Sequence, residues 1–189
     1  MSRKEIIRCG WCGQDEQYQQ YHDLEWGKQV IDEQTLFEFL ILESAQAGLS
    51  WITILRKREN YRNAFANFDY EQVAQFTDQD IEELLENPGI VRNRLKIASA
   101  VHNAKIFMQI QKEFGSFYSY LYSFLPNQQP IINEFESLRQ VPAQTEISLA
   151  IAKDLKKKGM KFFGATTCYA FMQAVGMVND HVLSCSFRA

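Results

Sequence analysis

This 189-residue sequence predicts an all-α fold, and three observations carry that expectation. Apolar residues recur at spacings of three and four nearly throughout, and no run alternates apolar and polar with period two. Ser, Thr or Asp precedes most of the periodic segments, where a side-chain oxygen can take up the free N–H groups of a helix start. An apolar fraction of 46% is enough for a well-filled core. The expected architecture is about eight helices in one domain, residues 1–189, built as two closely packed lobes.

Taken in order, Thr35-Leu-Phe-Glu38 reads as a capping box that opens the very apolar helix LFEFLILESAQA, which Gly48 ends. Ser50 caps a second helix, WITILRKRENYRNAF. Asp69, with Gln72 three residues on, and Thr77 cap two short helices, the second stopped by Asn87-Pro88-Gly89. Beyond that turn, Ile97, Val101, Ala104, Met108 and Gln111 mark a long amphipathic helix ending near Gly115. Ser116 begins the aromatic helix FYSYLYSFL, closed by Pro126, and PNQQPIINEFESLRQVPAQ follows as a polar surface excursion. Thr145 and Ser148 open a helix through Lys158 that Gly159 stops, and GATTCYAFMQAVG is a last core helix ending at Gly176. There is no internal repeat.

The bulk numbers exclude some functions. No run of 18 uncharged apolar residues occurs and the N-terminus lacks the apolar stretch of a secretory signal, so a cytoplasmic protein without a membrane partner is expected. A net charge of −3 is not that of a protein held on nucleic acid by bulk attraction; such a partner would need a local basic face. The four cysteines are then thiols that are buried, reactive or metal-bound, not a disulfide framework.

Two of those cysteines, Cys9 and Cys12, stand beside His22 near the N-terminus, and His181 and Cys185 stand near the C-terminus. A separation of four would put His181 and Cys185 on one helical face, as two ligands of one tetrahedral zinc. The sequence permits two four-ligand sets: Cys9, Cys12, His181 and Cys185, or Cys9, His22, His181 and Cys185. Either would be structural, since four protein ligands leave no open position for a catalytic water. A thiol-redox reading of Cys9 and Cys12 needs a βαβ context, and no strands are expected here.

Glu43 projects from the apolar stripe of its helix, with Phe39, Leu40 and Ala47 as helical neighbours. Either it forms an internal salt bridge, or it lies in a pocket for a cationic or hydrogen-bond-donating ligand. Trp11, Tyr21, Trp26 and Trp51 group near it in sequence and could stack on a planar ligand, although core packing is the alternative for each. The turn at Gly89, with Arg92, Arg94 and Lys96 just beyond it, can offer N–H groups and cations to phosphate, and equally can be an ordinary helix connection. It resembles a helix-hairpin-helix over about residues 78–114. The runs Arg56-Lys57-Arg58 and Lys156 to Lys161 add local positive charge, or are solvated helix ends.

RCGW, YHDLEWG, LFEFLILESAQAGLSWITILRKRENYR, NPGIVRNRLKI, GMKFFGATTCYAFMQAVGMVNDH and the terminal H-x3-C occur in one order. From about Arg8 to Cys185 the chain thereby resembles the constitutive bacterial 3-methyladenine-DNA glycosylase I family, of the helix-hairpin-helix superfamily. The resemblance implies a glycosylase fold with one structural Zn2+ tying the terminal segments through Cys9, His22, His181 and Cys185, with Cys12 a bystander. It makes Glu43 a catalytic, base-binding residue, Trp51 and Tyr21 the stacking and base-contacting aromatics, and Trp11 and Trp26 further pocket positions. Leu49 falls where the family presents an apolar plug to DNA, and Gly89, Arg92, Arg94 and Lys96 fall on its DNA-binding hairpin. The implied partner is double-stranded DNA containing alkylated purines, met by a monomer. The implied reaction is monofunctional hydrolysis of the glycosidic bond of 3-methyladenine, with 3-methylguanine a further substrate. From Gly89 to Lys153 there is no aspartate, which suits recognition of an already labile bond over activation by a catalytic Asp. A non-catalytic module that binds damaged DNA is the competing class.

Overall fold

In the computed structural model, which describes residues 5–188, nine α-helices are present among the described residues. The first, α1 (Glu16–Leu24), is absent from the sequence expectation. Its opening turns, EQYQQ, are polar and carry no apolar period, but Asp15 caps it by accepting from the Tyr18 N–H. The helix α2 (Glu33–Gln46) begins earlier than the Thr35–Glu38 box indicated. Asp32 is its cap, its carboxylate accepting from both the N–H and the hydroxyl of Thr35. A carboxylate also meets the positive end of the helix dipole, an advantage that a Thr hydroxyl lacks. Glu38 is thereby released from capping and lies buried in the core.

The next helices are α3 (Trp51–Ala64) after Ser50, α4 (Tyr70–Val73) capped by Asp69, and α5 (Asp78–Glu86), where Thr77 and Asp80 form a reciprocal capping box. Asn93 caps the long α6 (Arg94–Phe114), and Ser116 caps α7 (Phe117–Tyr122). Thr145 and Ser148, expected to open α8 (Glu146–Lys157), do so as a reciprocal capping box, and α9 (Ala165–Ala174) follows. No helix among the described residues is long and apolar enough to cross a membrane.

Two expectations need correction. Strands do occur, as a two-residue parallel pair of β1 (Ile131–Ile132) and β2 (Val178–Asn179), with Ile131 opposite Val178. Two residues are too few to show a period. The excursion that holds β1 does run over the surface, with none of residues 126–144 buried, and β1 pins it to β2. His181 and Cys185 are not on a helix either: they are brought together by a turn in which the Cys185 N–H donates to the Val182 carbonyl.

Helix α2 is central, with every residue from Leu36 to Ala45 buried. Helices α9, α3, α6 and α7 pack on it, and α8 packs on α9. Arg58 of α3 is buried and binds Glu38 of α2 and Glu25 at the end of α1, each at 2.6 Å, while its guanidinium lies over the Phe39 ring. Arg56 pairs with Asp15, and the Lys57 ammonium donates to the Pro88 carbonyl. Within the Arg56–Arg58 run, Arg58 is thus a buried structural cation, while Arg56 stays exposed with its charge paired.

Candidate active site

Where α1, α2 and α3 converge lies an open-mouthed cavity of about 200 Å3. Glu43 and Gln46 come from α2, Tyr18 and Tyr21 from α1, and Trp51 from the first position of α3. Trp11 and Trp26, just before and after α1, complete one side, and Leu138, Val141, Ala170 and Gln173 the other. The Tyr21 and Trp51 rings have centroids 5.5 Å apart, and those of Trp11 and Trp26 are 5.0 Å apart. A space below the ~300–1,000 Å3 of a drug-sized pocket suits a single flat heterocycle.

Glu43 is 4% exposed, and its Oε2 has no hydrogen-bond partner among the described residues. The internal salt bridge that its position allowed belongs to Glu38 instead. Burial pushes the Glu43 carboxyl up to about 8. Burial, then the nearby Glu43 charge, holds the Tyr21 phenol well above its ordinary value. The indole N–H groups of Trp11 and Trp51 are also buried without partners. A lone acceptor and two lone donors in an aromatic box can orient a planar ligand that carries donors, acceptors and positive charge. Glu43 is the one acidic residue lining the cavity among the described residues, and no lysine lines it.

Against this aromatic wall lies the second constellation. One donor atom from each of Cys9, His22, His181 and Cys185, all buried, lies within 4.8 Å of the others. Cys185 Sγ is 3.6 Å from His22 Nε2 and 3.3 Å from His181 Nδ1, and Cys9 Sγ is 3.6 Å from His181 Nδ1. The edge from sulfur to nitrogen of a tetrahedral zinc site is about 3.6 Å, from bond lengths of roughly 2.3 and 2.0 Å. The other ring nitrogens are anchored: His22 Nδ1 sits 2.8 Å from Asp23, itself held by Arg8, and His181 Nε2 sits 3.1 Å from the Trp26 carbonyl. Burial raises the Cys9 thiol to about 12 and lowers His181 to about 4, so the protein alone keeps them neutral. Cys12 stands apart, its thiol donating to the Cys9 carbonyl.

The face outside the cavity carries Leu49, 41% exposed in the turn after α2. Gly48 makes that turn with φ +83°. Lys96 does not project freely: its ammonium donates to the carbonyls of Ala45 at 2.9 Å and Ala47 at 2.6 Å, holding the Leu49 turn against α6. Arg92 is exposed, and Arg94, also exposed, pairs with Glu82. Gly89 is required by close approach, since a Cβ there would lie 2.9 Å from the Asn60 side chain.

Sequence reasoning missed Tyr18, Gln46, Leu138, Val141, Ala170 and Gln173 among the cavity residues. Tyr18 lies one turn before Tyr21 on α1, the helix that the sequence pattern conceals, whereas Gln46 lies one turn beyond Glu43 on α2, where helical spacing from Glu43 points to it. No local signal points to Leu138 or Val141, which come from the polar excursion.

Comparison with known proteins finds similar chains. The profile of the methyladenine glycosylase family matches residues 11–189. The chain is 48% identical over 178 residues to a DNA-3-methyladenine glycosylase of Haemophilus influenzae, covering 94% of this chain and 96% of that one. It superposes with TM-score 0.93 on a crystal structure of 3-methyladenine DNA glycosylase I, at 46% identity, covering 97% and 100% of the two chains. A Staphylococcus aureus 3-methyladenine DNA glycosylase I, studied for its recognition of 3-methyladenine, matches with TM-score 0.93 at 37% identity over 96% of both chains.

Proposed function

The chain belongs to the methyladenine glycosylase family, and on that premise we propose that it excises 3-methyladenine from alkylated DNA, with Glu43 and the aromatic cavity as the base site. The observation that carries the reading is the unpaired, buried Glu43 carboxyl among Tyr21, Trp51, Trp11 and Trp26.

Methylation at N3 makes adenine a cation, and cleavage of the glycosidic bond releases it as a neutral base, so departure needs little help from a general acid. Selectivity then rests on binding. A carboxylate in a dry aromatic box favours a cationic base over neutral adenine and accepts from its exocyclic amine. The indole N–H groups supply donors for ring nitrogens. Water captures the sugar, and because no lysine lines the cavity, the reaction stops at hydrolysis without a Schiff base. The nucleotide must leave the duplex to reach the cavity, and Leu49 is placed to fill the gap.

The hairpin of α5, the Gly89 turn and α6 serves as the duplex-binding element, with Arg92 and Arg94 toward phosphate. Lys96 contributes as a brace for the Leu49 turn. Cys9, His22, His181 and Cys185 would hold one structural zinc, whose chemistry is a cross-link between the two ends of the chain. The donor distances and the anchored imidazoles support that assignment.

The deciding experiment is incubation of the purified protein with methylated duplex DNA and chromatography of the bases released. Free 3-methyladenine with 7-methylguanine retained in the DNA is the expected result. No release by a folded protein would leave a binding module in place of an enzyme.

A further inference from the structure

Phe162 has no role in the site described above, and its conformation needs an explanation. Its φ is +54°, a left-handed backbone that a bulky residue adopts only with strain. Phe68 adopts a similar φ, +58°, but its ring is fully buried against Phe37 and Phe65, which offsets the cost. Phe162 is 42% exposed and stacks on no aromatic ring among the described residues.

The strained segment is held from outside. Asn103 of α6 is fully buried and spends its amide on one neighbour: Nδ2 donates to the Lys161 carbonyl at 2.8 Å, and Oδ1 accepts from the Lys161 N–H at 2.9 Å. His102, beside it, lies 2.9 Å from the Gly159 carbonyl. The same helix braces the Leu49 turn through Lys96 and leads out of the Gly89 hairpin. Phe162 lines an open groove together with Ala47, two residues before Leu49, and with Lys156 and Lys161. Lys158 is engaged with Glu113, whereas Lys156 and Lys161 are exposed and form no ion pair among the described residues.

We propose that Phe162 is a second apolar wedge on duplex DNA, packing beside the extruded nucleotide while Lys156 and Lys161 meet the flanking phosphates. The proposal rests on the glycosylase reading and extends its DNA face beyond Leu49 and the hairpin. One helix, α6, fixes the Gly89 hairpin, the Leu49 turn and the Phe162 segment, and the last of these presents a strained aromatic beside Lys156 and Lys161 to a polyanion.

The test compares Phe162→Gly and Phe162→Trp with the parent chain. Glycine adopts the left-handed backbone without strain, so the fold persists. Binding is measured to a duplex holding an abasic-site analogue, and to free 3-methyladenine by quenching of tryptophan fluorescence. Phe162→Gly should weaken duplex binding by about tenfold or more, the worth of one lost stacking contact, and Phe162→Trp should restore it. Free-base binding should stay unchanged in both. Equal duplex binding by Phe162→Gly and the parent would overturn the wedge, as would a parallel loss of free-base binding. If the parent chain releases no base from methylated DNA, the glycosylase reading fails separately, and the duplex comparison still decides the role of Phe162.

Discussion

Folding without a ligand makes Glu43 take up a proton, because burial moves its carboxyl from 4.5 to about 8. The neutral form is favoured in the folded protein, so its stabilising effect is complete below pH 4.5 and is lost as pH rises through 8. Glu43→Gln should therefore raise the stability of the free protein at pH 9, by on the order of a few kcal/mol, and leave it unchanged near pH 4.5. Thermal unfolding across that range, variant against parent, checks it. The same residue predicts a cost in function. If the carboxylate is what receives the cationic base, kcat/KM for excision should climb toward pH 8 and level off, since that ratio reports the free enzyme. Glu43→Gln should excise poorly and lose this dependence; a variant that keeps both rate and profile would remove Glu43 from the mechanism.

The cavity exists because three helices are held at fixed angles, and Arg58 is the bond between them. Arg58→Met would take the buried cation from Glu38, which keeps Arg62, and from the part-exposed Glu25, so the cost should fall below the ~3–5 kcal/mol of a wholly unpaired buried charge. Urea unfolding should show that cost. At the end of α9, Gly176 has φ +67°, and a Cβ there would overlap the Lys28 backbone. Gly176→Ala should destabilise strongly and displace the segment that carries His181 and Cys185, read as lower soluble yield and reduced metal uptake. How much of this was legible in the sequence follows from distance along the chain. The caps at Thr77, Asn87 to Gly89, Thr145 and Gly159 are local chemistry, and those helix limits lie where the sequence puts them, give or take a residue. The position of Glu43 on an apolar stripe is local too, and so is its grouping with the aromatics. The first helix was hidden because its opening residues are polar and Asp15 does its work through the backbone. The burial of Arg58 depends on Glu25 and Glu38, more than a turn of any helix away, and the contribution of Leu138 to the cavity depends on a crossover that no period announces.

Across the whole molecule, the Cys/His cluster joins residues 9 and 22 to residues 181 and 185, and so closes nearly the full chain into a loop. The N-terminal segment that holds Cys9 and His22 also carries Trp11, Tyr18, Tyr21 and Trp26, which line the cavity. Most of the buried apolar side chains belong to helices α2 to α9, so metal content and helical content are expected to respond separately. Cys185→Ser, or a strong chelator acting on the parent protein, should drop bound zinc from one per chain toward none. It should abolish quenching by 3-methyladenine while leaving most of the helical circular dichroism. The loss in stability should grow with the free metal present, reaching about 2.7 kcal/mol where zinc stands at a hundred times its dissociation constant. Restoring zinc to the chelated parent should recover base binding, and the Cys185→Ser chain should not recover. A Cys185→Ser protein that retains full zinc, or one that binds the base normally without it, would show that the four residues pack together for some purpose other than metal.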